Sequence, residues 1–239
     1  MFDPIPTPLA LAFILVTLIT LWLLLRCFKH SDSELTQRKL TVVLLVTGAW
    51  LLLQAILTIQ GVYEANPSAF PPKIMLFGVF PAIGCLLTLF ASKRGRQLID
   101  SLPLADVTCI HSVRIAVELI LLGLYMHHLV PRLMTFEGWN FDILAGISAL
   151  PVAYLGIKKA KLNRLLLLLW NFISLVLLLT IVLLAVFSAP SAFQQLAFDE
   201  PNIALFYFPV SWLPTFIVPI VLFSHLIAIR RLIVKKSSL

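Results

Sequence analysis

Charged side chains are scarce in this chain. They make up 12% of its 239 residues, about half the share of an ordinary soluble domain. Mean hydropathy is correspondingly high, at +1.01. The apolar residues come in long blocks, which excludes a water-soluble core and leaves no room for a separate soluble domain. Cysteine is also sparse. Cys27, Cys85 and Cys109 are odd in number and lack metal-ligand spacing, so they give neither a disulfide framework nor a metal site. They read as small buried apolar residues.

Several motifs are missing. No Gly-x-Ser-x-Gly marks a hydrolase nucleophile. No glycine-rich loop is present to cradle a phosphate. No Asn-x-Ser/Thr acceptor occurs, because Asn66 is followed by Pro67. The opening MFDPIPTP has no basic segment and no signal-peptidase site follows it, so the first apolar run is expected to be an uncleaved helix. Internal repeats and low-complexity tracts are absent too.

What remains is a succession of apolar stretches. A helix needs about 20 such residues to cross the hydrocarbon core. Seven stretches qualify, at about 6–28, 40–62, 72–92, 107–129, 139–157, 165–188 and 204–229. The predicted fold is therefore all-α, a polytopic bundle of seven transmembrane helices forming a single transmembrane domain over 1–239.

A net charge of +7 is compatible with nucleic-acid binding, but its distribution argues against that. Arg26, Lys29, Arg38 and Lys39 follow the first stretch. Lys93, Arg94 and Arg96 follow the third. Lys158, Lys159, Lys161 and Arg164 follow the fifth, and Arg230, Arg231, Lys235 and Lys236 the seventh. Fifteen basic residues thus fall on one side, against Lys73 and Arg132 on the other. This positive-inside bias places the C-terminus in the cytoplasm and the N-terminus outside. It reads as a topology signal, with the lipid bilayer as partner and no nucleic acid.

Two connecting segments have further character. Residues 97–106, QLIDSLPLAD, alternate apolar and polar residues and read as an amphipathic stretch on the cytoplasmic interface. The outer segment 189–203 is expected to include an interfacial turn of helix carrying Phe193, Leu196 and Phe198. The seventh helix contains Pro209, Pro214 and Pro219. Proline removes a backbone donor, so this helix should be bent or partly unwound, with neighbours meeting the freed carbonyls.

The fourth stretch is the least apolar. On a helical wheel His111, Arg114, Glu118, Tyr125, His128 and Arg132 lie within an arc of about 100°. His127 points elsewhere. Lipid does not tolerate such a stripe, so it must face protein, water or a ligand. The rise per residue puts His111 and Arg114 in the inner third and Glu118 near the middle. Asn171 and His225 enter the inner half from the sixth and seventh helices, and Gln54 lies past the middle of the second. The expectation is one inner polar cluster of Arg114, Glu118, Asn171, His111 and His225, with Tyr125 further along the same pathway. In a purely structural reading, Arg114 and Glu118 pair along their own helix with Asn171 capping them. An outer mouth is expected from His128, Arg132, Glu137 and Asp142, with Asn140, Glu64, Asp199 and Glu200 near it. Trp139, Phe136 and Phe141 are interleaved there as an aromatic belt. Asp142 can also cap the fifth helix or pair with Arg132.

Known seven-helix chemistries fit poorly. A retinal pigment needs a lysine in its last helix, and none occurs between Asn202 and Ile229. The receptor triads after the third helix are replaced by SKRGR. A hydrolytic zinc site needs about three converging histidines, but His127 and His128 diverge and the inner side offers only His111 and His225. That pair could ligate a b-type haem, a minor option beside the main expectation of no cofactor.

The segments IHSVRIAVELIL and RLMTFEGWNFDILAG resemble stretches of uncharacterised bacterial inner-membrane proteins with seven helices. The resemblance covers about residues 103–150. It implies a bacterial cytoplasmic membrane and carries no residue role. The leading functional expectation is a protein that binds or transports a small molecule or ion, protons included, through the polar surface of the fourth helix. Glu118 would be the titratable group and Arg114 its counter-ion. A small amphipathic ligand or lipid is the expected partner, and a homo-oligomer is as compatible as a monomer. The alternatives are an intramembrane enzyme acting on a lipid or isoprenoid, using Glu118 with a histidine, and a structural or partner subunit of a membrane complex.

Overall fold

The computed structural model describes residues 4–66 and 69–234. Lys235 and Lys236 of the last basic cluster lie outside the described residues, as do the first three residues of the MFDPIPTP opening. Among the described residues every regular element is helical and no strand occurs. The principal elements are α1 (Thr7–Lys29), α2 (Leu40–Ile59), α3 (Met75–Ala91), α4 (Lys93–Ser101), α5 (Leu104–Met126) and α6 (Asp142–Pro151), which runs on as a π-helix over Val152–Lys158. They are followed by α7 (Arg164–Ser188) and α8 (Leu213–Val234).

Five of these helices are long and apolar enough to cross a membrane, or six if the bent pair α3–α4 counts as one span. The third and fifth expected stretches are the two that fall short. The third turns through 91° between α3 and α4. The fifth becomes helical only at Asp142 and leaves the α conformation after Pro151.

The helices present apolar faces outward. Leu11, Leu15, Leu18 and Trp22 on α1 are exposed, as are Leu45, Leu52 and Ile56 on α2. The opposite faces close one apolar core that includes Phe13, Leu24, Leu121, Leu124, Ile217 and Ile227. Such two-sided apolarity is compatible with insertion into a bilayer.

The amphipathic stretch is a helix, but it starts earlier than the alternation suggested. Ser92 caps α4 by accepting from the Gly95 N–H at 3.0 Å, and α4 ends at Ser101, ahead of Pro103. Lys93, Arg94 and Gln97 are exposed while Ile99 is buried. Several contacts stitch α4 to the ends of α1 and α8. Asp100 accepts from Arg230 Nε at 3.0 Å and Nη2 at 2.9 Å, and the Ser101 carbonyl accepts from the Asp32 N–H at 3.0 Å. Asp106 just beyond pairs with His30 at 2.7 Å and Arg26 at 3.4 Å.

The last span is interrupted, as its prolines require, but its regular part begins at Leu213 rather than near residue 204. Ahead of it come a 3-10 turn at Ala204–Phe206 and an irregular stretch, then a π-helix over Leu213–Ile217 containing Pro214. The carbonyls that proline strands are met from α2. Pro219 cannot donate to Thr215 O, and Trp50 Nε1 donates there instead at 2.9 Å. Pro81 cannot donate to Phe77 O, and Gln54 Nε2 donates there at 3.1 Å. Thr58 donates to the Ser211 hydroxyl at 2.8 Å. Trp50, Gln54 and Thr58 are four residues apart, so a single stripe of α2 serves both proline breaks.

The outer segment 189–203 contains no helix, contrary to the interfacial turn expected there. Its backbone folds back to cap α7: the Gln195 and Leu196 N–H groups donate to Phe187 O, and Asn202 N–H donates to Ser188 O. With Pro190 and Pro201 at its ends, the segment satisfies the carbonyls of α7 instead of building its own ladder.

Replacing Gln54 with leucine should therefore strand the Phe77 carbonyl. We expect the midpoint of unfolding in mixed micelles to fall by the equivalent of about 1–3 kcal/mol. An unchanged midpoint would reject this role for α2.

Candidate functional site

α5 delivers the polar stripe. Its first turn is α-helical to Cys109, a 3-10 turn spans Ile110–Ser112, and regular helix resumes at Val113. A 3-10 turn advances about 120° per residue, so His111 is rotated from a regular wheel, yet it remains fully buried. Arg114 and Glu118 are buried as well, at 2% and 1% exposure.

The Arg114 guanidinium does not pair with Glu118, as the structural reading had it. It reaches across to α6, where Nε donates to Asp142 Oδ2 at 2.6 Å and Nη2 donates to Asp142 Oδ1. The same Nη2 donates to the Ser174 carbonyl of α7 at 2.9 Å. Nη1 donates to His225 Nε2 of α8 at 3.2 Å. One guanidinium thus ties together four helices, through the fork geometry that suits arginine to a carboxylate. Gly146, one turn beyond Asp142, makes this approach possible. A Cβ there would lie 2.9 Å from the Ile115 nitrogen and 3.3 Å from Arg114 Cβ, so a side chain would push α6 off α5.

Because its Nε2 accepts from an arginine, His225 carries its proton on Nδ1. That nitrogen faces Asn171 Oδ1 at 3.3 Å, and Asn171 Nδ2 donates to Leu167 O at 2.9 Å. The His225 ring stacks on His111 with centroids 4.0 Å apart, and Trp170 meets His111 edge-on at 5.5 Å. Neither His111 nitrogen has a hydrogen-bond partner among the described residues.

Glu118 takes a different partner. Asn140 Nδ2 donates to both carboxylate oxygens at 2.6 Å and to Met134 O at 2.9 Å. Asn140 Oδ1 accepts from the Asp142 N–H at 3.0 Å. Asn140 therefore caps the start of α6, and Asp142 is free to pair with Arg114.

Both residues arrive there because the connection after α5 folds inward. Leu129, Val130, Met134, Thr135 and Asn140 are all buried. The turn is closed by Gly138 N–H to Thr135 O at 2.9 Å and Asn140 N–H to Thr135 O at 3.3 Å. A Cβ on Gly138 would lie 2.4 Å from Arg132 O, so only glycine fits. This plug moves Asp142 and Asn140 from the expected outer mouth into the inner cluster and separates Asp142 from Arg132.

The other members of the outer set stay at the surface. Arg132 and Glu137 are exposed, and exposed His128 pairs with Glu200. Glu64 accepts from the Tyr207 hydroxyl at 2.6 Å. Trp139 and Phe141 are exposed beside them. Tyr125 is half-buried against the apolar core and does not join the cluster.

A cavity of about 160 Å³ lies between α3, α5, α7 and α8. Its walls are apolar, with Val117, Leu121, Leu178, Ile181, Phe206 and Ile217 among them. Arg114, Glu118 and Asp142 are the ionisable residues that line it. The cavity runs from Leu178 of α7 to Ala189 just past its end, about 16 Å by the helical rise, and reaches Pro72, Ser191 and Asn202 in the connecting segments.

The His111 and His225 rings are in direct contact, tilted by 34°, and a porphyrin iron bound by both would have to hold them apart. Among the described residues no three His, Cys, Asp or Glu side chains converge as a metal site. Sequence reasoning did not identify Ser174 or Trp170 as neighbours of the cluster. Ser174 acts through its backbone carbonyl, which no residue type announces, although its place three residues after Asn171 puts it on the same face.

Replacing Asp142 with leucine leaves a buried guanidinium without its carboxylate. The protein should lose about 3–5 kcal/mol, read as a shifted unfolding midpoint in mixed micelles. Combining that change with Arg114→Met should restore most of the loss. A double variant as unstable as the single one would show that the pair is not the source of the effect.

No curated protein and no solved structure matches the chain. A family described as a domain of unknown function, DUF8737, matches residues 71–233. That stretch covers more than half of the chain and holds α3 to α8, with both the cluster and the plug. The chain therefore belongs to the DUF8737 family.

Proposed function

We propose that this chain is an integral protein of a bacterial cytoplasmic membrane that binds or transports a small amphipathic molecule in the cavity beside α5. It crosses the bilayer seven times, with its N-terminus outside and its C-terminus in the cytoplasm. The observation that carries the binding reading is an apolar cavity whose inner end is floored by Arg114, Asp142 and Glu118. Ligand sites are mostly apolar with a few placed polar groups, and buried charge among membrane helices marks a site by default.

Seven crossings draw support from the alternation of basic clusters. The helical part of α6 with its π-extension is 17 residues long, about 25 Å by the helical rise. The inward plug before it supplies the remaining depth. A tag at the N-terminus should be reached by a protease added to spheroplasts with an intact cytoplasmic membrane, and a C-terminal tag only after that membrane is opened. The reverse pattern would overturn the orientation.

Native mass spectrometry of gently solubilised protein, with an absorption spectrum of the same sample, tests the ligand. The wild type should carry, or take up from a lipid extract of its own membrane, a molecule of defined mass that raises its unfolding temperature. Val117→Phe, which fills the cavity, should lose both effects while still running as a folded species. An equal response from the variant, or none from the wild type, would reject the cavity as the site.

A further inference from the structure

The ionisable groups at the cavity floor do not balance. Asp142 is matched by Arg114, which spends Nε and Nη2 on that carboxylate, shares Nη2 with Ser174 O and gives an Nη1 bond to His225. Among the described residues Glu118 has no cation of its own. Its single polar partner there is the neutral Asn140 amide, which gives both oxygens the same nitrogen. The charged groups facing it are Arg114 on its own helix and Asp142 on α6. His225 of α8 is reached only through Arg114, and α3 and α7 line the cavity with no ionisable side chain. With Glu118 ionised the floor carries one uncompensated negative charge in an apolar surround. A lone charge is costly there, and one proton or one organic cation removes the excess.

We infer that the cavity takes a single-chain lipophilic ammonium whose cationic head meets Glu118, and that this cation and a proton exclude one another at the Glu118 carboxylate. This rests on the reading of the cavity as a binding site. The shape supports one chain, because about 160 Å³ is drawn out along some three turns of α7. Its apolar walls suit an alkyl tail. An anionic head would meet Asp142 and Glu118 against a guanidinium already engaged. On binding, the carboxyl O–H of Glu118 gives its proton to solvent as the ammonium arrives, so charge in the cavity is conserved. A protein built this way can exchange protons for organic cations.

The probes are n-octylammonium, 1-octanol and octanoate, matched in chain and different in head. They are titrated into the whole protein in nanodiscs, with empty nanodiscs as the blank. Octylammonium should bind at least tenfold more tightly than octanol, and octanoate more weakly than either. One proton should be released per octylammonium, read by a pH dye in weak buffer. Its apparent affinity should fall about tenfold per pH unit on the acid side. Glu118→Gln should still bind octanol, which shows an intact cavity. The same variant should release no proton and lose the preference for the cation. Octanol binding with no preference for octylammonium, or unchanged proton release from Glu118→Gln, would overturn this inference and leave the binding-site reading standing. Binding of none of the three probes would overturn both.

Discussion

A single buried guanidinium organises the packing of four helices of this bundle. Arg114 could not sit among apolar helices alone, because the desolvation of an isolated charge is costly. Its environment is therefore built to answer it: a carboxylate from α6, a backbone carbonyl from α7 and an imidazole nitrogen from α8. Each of these demands places a helix. The Asp142 pairing requires α6 to approach closely, which Gly146 permits, and requires α6 to begin deep in the molecule. The histidine contact sets the tautomer of His225 and, through it, the orientation of Asn171.

The inward plug follows from the same constraint. For Asp142 to reach Arg114, the chain leaving α5 has to return into the bundle before α6 starts. It does so as a compact turn that satisfies much of its own backbone and lends Asn140 to Glu118. Irregular backbone at depth is tolerable among membrane helices only when its polar groups are met by protein. The proline breaks obey the same rule. Phe77 O and Thr215 O are freed in different helices, and one stripe of α2 answers both.

These two solutions leave the cavity between them. Its walls come from the π-segments of α3 and α8 and from the apolar faces of α5 and α7, and its floor comes from the ion cluster. A fully packed bundle would have closed this space. Here the departures from regular helix at Met75–Val79 and Leu213–Ile217 keep the walls apart while α2 holds them in register. Polar groups at one end of an apolar slot make its two ends chemically distinct.

What the residue order determined by itself was the helical class, the long apolar stretches, the alternating basic clusters and the burial of His111, Arg114 and Glu118. Each of these depends on local composition and the 3.6-residue period, which a chain carries wherever it folds. His111, Arg114, Glu118, Asn171 and His225 were placed together on that ground; four of them are in contact, while Glu118 is linked to them only through Asn140 and Asp142. Partner choice was decided only by tertiary structure. Hydropathy set Asp142 and Asn140 at an outer turn, but the depth of a connection depends on what it folds against. Arg114 four residues before Glu118 suggested a pair within one helix, yet a forked donor found a two-oxygen acceptor on the neighbouring helix, and Glu118 was left to an amide. The tight packing that selects Asp142 over Glu118 lies in the fit of Gly146 against Ile115, and no periodicity records it.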